Sequence, residues 1–220
     1  MARSATWLLP LAPVSARAAA RAGLARTLPA PGVALTFDDG PHPEGTPAVL
    51  EVLAAEGARA TFFLVGEQVQ RRPELARRIA AEGHGVELHA FAHRLQSRLH
   101  RRTVTEDVRR GRAVIEDAIG RRVGWHRPPY GVYSPSGLDA VRAEGLRPLL
   151  WSRWGRDWRR LTTAERIAAR AAGDLAAGDV LLLHDADFYS SRGSHQRTVR
   201  ALPIILAELR RRGLDTVLPA

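Results

Sequence analysis

The chain has 220 residues, 45% of them hydrophobic and 25% charged, which is the size and balance of one domain built on one core. It contains no cysteine, so structural disulfides, cysteine-ligated zinc, iron–sulfur clusters and thiol nucleophiles are excluded, and any metal falls to the eight histidines and the carboxylates. The formal net charge is +10, yet every one of the 33 basic residues is arginine and their runs sit on separate helix-period segments. They read as solvated helix faces rather than a nucleic-acid surface, and no nucleic-acid partner is expected.

Residues 1–31 differ from the rest and are taken as an N-terminal extension, helical or loosely packed, ahead of a single domain over 32–220. The apolar stretch 7–14 is broken by Pro10 and Pro13 and preceded only by Arg3, a poor match to a secretory signal, which needs a charged start and an unbroken apolar run. The expected location is therefore cytoplasmic or cell-envelope associated, with room for peripheral membrane or cell-wall contact. No run of roughly 18 apolar residues is present to span a bilayer.

From Gly32 the chain alternates short apolar runs with helix-period segments. Strands are predicted over 33–36, 61–65, 85–88, 124–127, 148–151, 180–183 and 215–218, and helices over 46–56, 74–82, 105–119, 136–144, 163–175 and 196–212. Gly57, Gly83, Gly120, Gly145, Gly178 and Gly213 are read as the residues that close those helices. Strand and helix in alternation mean parallel pairing with right-handed crossovers, and about seven such units favour a distorted (β/α) barrel over an open sheet.

Chemistry-bearing residues gather where the strands end, the face that carries active sites in parallel barrels. The first strand runs into Asp38, Asp39, Gly40 and Pro41, which serve equally as a turn or as a carboxylate pair. The third runs into His89 and His93, four residues apart and on one face if the segment is helical. Two histidines and the Asp39 carboxylate make a ligand set that leaves positions open for water and substrate. Later strand ends bring Arg127 to Gly131, Asp157 with Trp158, and Leu182 to Asp185, each bland by itself. Arg156, Arg159 and Arg160 beside Trp158 read as solvated arginines, with an anionic substrate as the other reading.

The order of these motifs resembles the NodB-like polysaccharide deacetylases of carbohydrate esterase family four. The resemblance rests on Asp38-Asp39, on His89 and His93, on Arg127, Pro129 and Gly131, on Asp157-Trp158, and on Leu182 and His184. It implies a distorted barrel and a hydrolase that removes acetyl groups with one divalent metal ion, zinc or cobalt. Carried over residue by residue, it implies Asp39, His89 and His93 as ligands and Asp38 as general base paired with Arg127. Tyr130 would offer a backbone N–H to the oxyanion, Trp158 and Leu182 would wall the acetyl pocket, and His184 would be the general acid tuned by Asp157. The implied partner is an acetylated carbohydrate, and a monomer is expected. Three positions depart from the family pattern. Ala90 follows the first ligand histidine where a hydroxyl residue is usual, Leu88 precedes it where Asn is frequent, and His126 replaces an aromatic before Arg127. Loss of groups that orient ligands weakens metal affinity by roughly 10–100-fold. The competing readings are a hydrolase of a non-sugar amide, imide or O-acetyl ester on the same fold, and a non-catalytic polyanion-binding protein.

Overall fold

The computed structural model describes Ala19 and residues 22–220. Among these residues, seven strands form one sheet, every pairing parallel: β1 Ala34–Asp38, β2 Thr61–Val65, β3 Gly85–Ala90, β4 Trp125–His126, β5 Arg147–Pro148, β6 Arg153–Trp154 and β7 Val180–His184. Their spatial order is β5-β4-β3-β2-β1-β7-β6, and the sheet curls into a half-barrel. Seven helices pack around it: α1 Gly45–Ala55, α2 Gly66–Arg71, α3 Pro73–Ala81, α4 Arg101–Ile119, α5 Pro135–Ala143, α6 Ala164–Ala172 and α7 Ser194–Arg211.

β1, β2 and β7 read as largely apolar runs because both of their faces are covered. Every residue of β1 and β2 is buried, as are the first four of β7. Register then places the chemistry. Asp38 pairs level with His184 across β1 and β7, so a base candidate and an acid candidate leave the sheet side by side at its C-terminal edge.

Helix ends follow from capping residues. Ser134 accepts from the Gly137 N–H at the start of α5, and Thr163 accepts from the Arg166 N–H at the start of α6. Gly120 closes α4 in the left-handed conformation, φ 67°, which a Cβ would disfavour. Gly111, inside α4, has a different task. A Cβ there would lie 2.7 Å from the Phe91 nitrogen and 2.9 Å from the Ala90 carbonyl carbon, so its bareness lets the helix lie directly against the segment between the two histidines.

The structure corrects three expectations. Residues 215–218 form no strand; Thr216 makes a single isolated bridge to Val33. The seventh strand is instead β6, two half-buried residues too short to show a periodic signal. Gly178 does not close a helix: α6 ends at Ala172, and Gly178 turns the chain into β7 while its amide and carbonyl bond Gly32 and Leu28. The stretch from His89 to His93 is no helix either; it is the end of β3 followed by a bend, and the two imidazoles meet through that bend rather than through a helical turn.

Most of the extension lies outside the described residues, including the apolar stretch 7–14. Residues nearer the domain are woven into it. Leu24 is buried in the core, Ala25 bridges Leu149, and the Leu28 amide donates to the Gly178 carbonyl. Among the described residues no helix is long and apolar enough to cross a membrane.

Candidate active site

All ten side chains or backbone groups singled out in the sequence lie at the C-terminal edge of the sheet, and eight of them border or support one pocket of about 290 Å³. Asp38, Asp39, His89, His93, Tyr130, Trp158, Leu182 and His184 line it; Arg127 and Asp157 stand behind Asp38 and His184.

Asp39 and the two histidines form its floor. Asp39 Oδ1 lies 3.4 Å from His89 Nε2 and 3.2 Å from His93 Nε2, and one atom from each of the three residues falls within 4.8 Å of the others. Asp39 holds a left-handed backbone, φ 82°, which aims its carboxylate away from that of Asp38. Its Oδ1 is buried and has no hydrogen-bond partner of normal geometry among the described residues, and both Nδ1 atoms of the histidine pair are likewise orphaned. Burial raises the Asp39 carboxyl, but the facing imidazoles of His89 and His93 and the charge of His184 overcome it and hold the group well below the usual carboxylate range. The Nε2 atoms of His89 and His93 converging on an Asp39 oxygen that has no conventional partner fit a divalent cation.

Asp38 is held from the other side. The fully buried Arg127 donates through Nη1 to Asp38 Oδ1 at 2.7 Å and to the Thr36 hydroxyl at 2.8 Å; Nε and Nη2 donate to the carbonyls of Leu149 and Leu150. Its guanidinium also stacks on Phe63, 4.0 Å from the ring centroid. Burial lowers the Arg127 pKa, and the charge and hydrogen bond of Asp38 oppose it, while the buried hydrogen bonds fix the guanidinium against the Asp38 carboxylate. The second Asp38 oxygen lies 3.8 Å from His89 Nδ1.

His184, opposite, donates through Nδ1 to Asp157 Oδ1 at 2.9 Å; Asp157 Oδ2 accepts from the His184 amide at 2.7 Å and from the Thr198 hydroxyl at 2.8 Å. Burial lowers the pKa of His184, but the Asp157 charge and hydrogen bond, with Asp39 and Asp38 beyond, push it up to about 10. The imidazole therefore carries a proton at neutral pH, with Nε2 left to address the pocket.

Several residues of the site went unread in the sequence. Trp151 and Trp154 extend the wall made by Trp158, with Trp154 and Trp158 ring centroids 5.3 Å apart. Tyr189 lies flat on His93, centroids 4.1 Å apart, and accepts a hydrogen bond from Gln68. Asp107 on α4 accepts from the amides of Phe91 and Ala92 and from Arg94, clamping the bend that carries His93. The tryptophan spacing was visible in the sequence; Tyr189 and Asp107 carried no signal without the fold.

A second histidine cluster, His42 with Asp187 and His195, stands beside the pocket. His42 Nδ1 accepts from the amides of Gly45 and Glu44, so its proton sits on Nε2, which faces Asp187 Oδ1 at 3.3 Å. That tautomer makes His42 a donor to Asp187 and not a metal ligand, and the cluster pins the loop that carries Tyr189 and Ser190.

Comparison with known proteins agrees with this geometry. The family model described as polysaccharide deacetylase matches residues 25–149. A chitooligosaccharide deacetylase from a Bradyrhizobium strain is 37% identical over 190 residues, 83% of this chain and 86% of that protein. The chain belongs to the polysaccharide deacetylase family. A peptidoglycan-N-acetylglucosamine deacetylase of Bacillus cereus is 34% identical, over 82% of this chain and 83% of its own. The crystal structure of the peptidoglycan N-acetylglucosamine deacetylase Bc1960 superposes with a TM-score of 0.84 at 28% identity, covering 93% of this chain and 94% of the other. The fold shared with that polysaccharide deacetylase is the NodB-like half-barrel described above.

Proposed function

We propose that the protein removes acetyl groups from an N-acetylglucosamine-containing glycan, with Asp39, His89 and His93 holding one zinc or cobalt ion. The observation that carries this reading is the convergence, on one pocket, of that ligand set with an arginine-paired Asp38 on one side and an Asp157-backed His184 on the other. The relatives support the substrate class, being deacetylases of chitooligosaccharide and of peptidoglycan.

When bound, the cation polarises the amide carbonyl and makes nearby water acidic enough to ionise near neutral pH. Asp38, oriented by Arg127, takes the proton of the attacking water. Tyr130 has a left-handed backbone, φ 61°, and lies at the pocket mouth, supporting the role of its amide as a donor to the developing oxyanion. Leu182 and Trp158 exclude water from the acetyl methyl. His184 donates its proton to the leaving nitrogen, without which an amine is a poor leaving group. The test is acetate release from N-acetylglucosamine oligomers, peptidoglycan fragments and acetylated xylan after metal loading. Release from the N-acetylated glycans that stops on chelation and returns with zinc or cobalt is the expected result; release from acetylated xylan alone would reassign the enzyme to esters.

A further inference from the structure

The mouth of the pocket is bordered on its Trp158 side by two loops, residues 155–163 after β6 and 185–193 after β7. They are tied together: the Ser191 amide donates to the Trp158 carbonyl, and Arg197 donates to both the Arg159 carbonyl and the Ser191 hydroxyl. The carboxylates on these loops are all engaged inward, Asp157 on His184, Asp185 on Thr46 and Asp187 on the His42 cluster. What the loops present outward is positive: Arg156 is half-buried, and Arg159, Arg160 and Arg192 are exposed. Among the described residues no acidic side chain pairs with any of these four. On the helices some arginines are paired, Arg78 with Glu82, Arg112 with Glu116 and Glu144, Arg211 and Arg212 with Glu208, while others such as Arg77 and Arg170 are not; what sets the loop arginines apart is their place on the two loops beside the pocket. Arg156 is also aimed: its left-handed backbone, φ 52°, brings the guanidinium over Trp154, 4.6 Å from the centroid of a ring that lines the pocket. A guanidinium held flat on an aromatic wall keeps its in-plane donors free for a carboxylate or phosphate.

We propose that Arg156, Arg159, Arg160 and Arg192 form an anion-selecting rim, and that the preferred substrate is an N-acetylated glycan bearing acidic groups, carboxylate or phosphate, on sugars next to the one being deacetylated. This rests on the deacetylase reading and narrows it. Exposed, unpaired charges beside the pocket, screened as such charges are, favour an acidic substituent about fivefold in kcat/KM at low ionic strength and hardly at all at about 1 M salt.

The test compares four substrates on the metal-loaded enzyme: neutral N-acetylglucosamine tetramer, the same tetramer phosphorylated at its primary hydroxyls, an alternating N-acetylglucosamine and N-acetylmuramic acid tetrasaccharide with free lactyl carboxylates, and that tetrasaccharide with its carboxylates amidated. The amide is matched in size and lacks only the charge. The expected result is about fivefold faster acetate release from an acidic form than from its neutral counterpart, the carboxylate or the phosphate arm naming the group. The preference should fall in the R159Q/R160Q/R192Q variant, which keeps only Arg156 of the rim, while release from the neutral tetramer stays within about twofold. The salt titration on the wild-type enzyme tests the rim without any variant. Equal rates for acidic and neutral forms, a preference undiminished in the variant, or one that ignores salt would overturn the inference and leave the deacetylase reading standing. Acetate from none of the four would overturn the deacetylase reading itself.

Discussion

Replacing Asp157 by Asn separates charge from geometry at the proposed acid. The amide oxygen of Asn, standing where Oδ1 stands, can still accept from His184 Nδ1 and hold the imidazole in place; its NH2 replaces Oδ2, so the His184 amide loses that acceptor, and the negative charge 2.9 Å away is gone. Two unit charges centred about 4 Å apart interact by about 4 kcal/mol at an effective dielectric near 20, which is about 3 pKa units. The His184 pKa, pushed up to about 10, should therefore fall towards its ordinary value near 6.5. An acid is useful only while protonated, so the alkaline limb of the rate profile moves down by the same amount, and activity at neutral pH drops with it. A cation held by Asp39, His89 and His93 lowers the limb in wild type and variant alike; the difference between them carries the result. Initial rates of acetate release from an N-acetylglucosamine oligomer, taken across pH on both proteins, read it directly. An alkaline limb that stays in place in the Asn variant would show that the limb does not report His184, and the acid would have to be another group.

Three further outcomes follow from neighbouring contacts. His184→Ala should damage amide hydrolysis far more than hydrolysis of an activated aryl acetate, whose leaving group needs no proton; equal losses on both would make His184 a pocket residue only. Asp107→Ala should leave the fold intact but free the amides of Phe91 and Ala92, loosening the bend that carries His93 and weakening zinc binding about 10–100-fold in a competition titration with a chelating dye; unchanged affinity would mean the bend holds itself. Glu87 is buried on β3, where burial outweighs the amides of Gly124 and Trp125 and raises its carboxyl from 4.5 to about 7. An acid with a raised folded pKa costs stability as pH rises from its unfolded value to its folded one, here up to about 3 kcal/mol, and Glu87→Gln should remove that slope from denaturation midpoints measured between about pH 4 and 8.

The parts of the fold legible in the sequence are those where one physical cause acts alone. The central strands announce themselves because parallel strands covered on both faces need continuous apolar runs, and five of the six predicted helices end within about two residues of a closing glycine. β6 escaped notice because two half-buried residues hold no period, and 215–218 misled because its residues meet the sheet through one isolated bridge instead of a ladder. At the site, charged and ligating residues after strands stand out against apolar surroundings, which is why Asp38, Asp39, His89, His93 and His184 were readable. Asp107 and Tyr189 were not, because what each does is set by a partner far along the chain: the bend at Phe91 for one, the flat face of His93 for the other. The departure at Ala90 is also answered there, since the bend is fixed by Asp107 through the backbone rather than by a hydroxyl beside His89.

The assignment of Asp39 as ligand and Asp38 as base is tested most directly by measuring zinc content and turnover together on Asp38→Asn and Asp39→Asn. The account predicts that the Asp38 variant retains about one zinc per chain while losing turnover by roughly 100-fold or more, and that the Asp39 variant loses metal and activity together. Equal loss of metal from both variants, or full metal occupancy in the Asp39 variant, would contradict it.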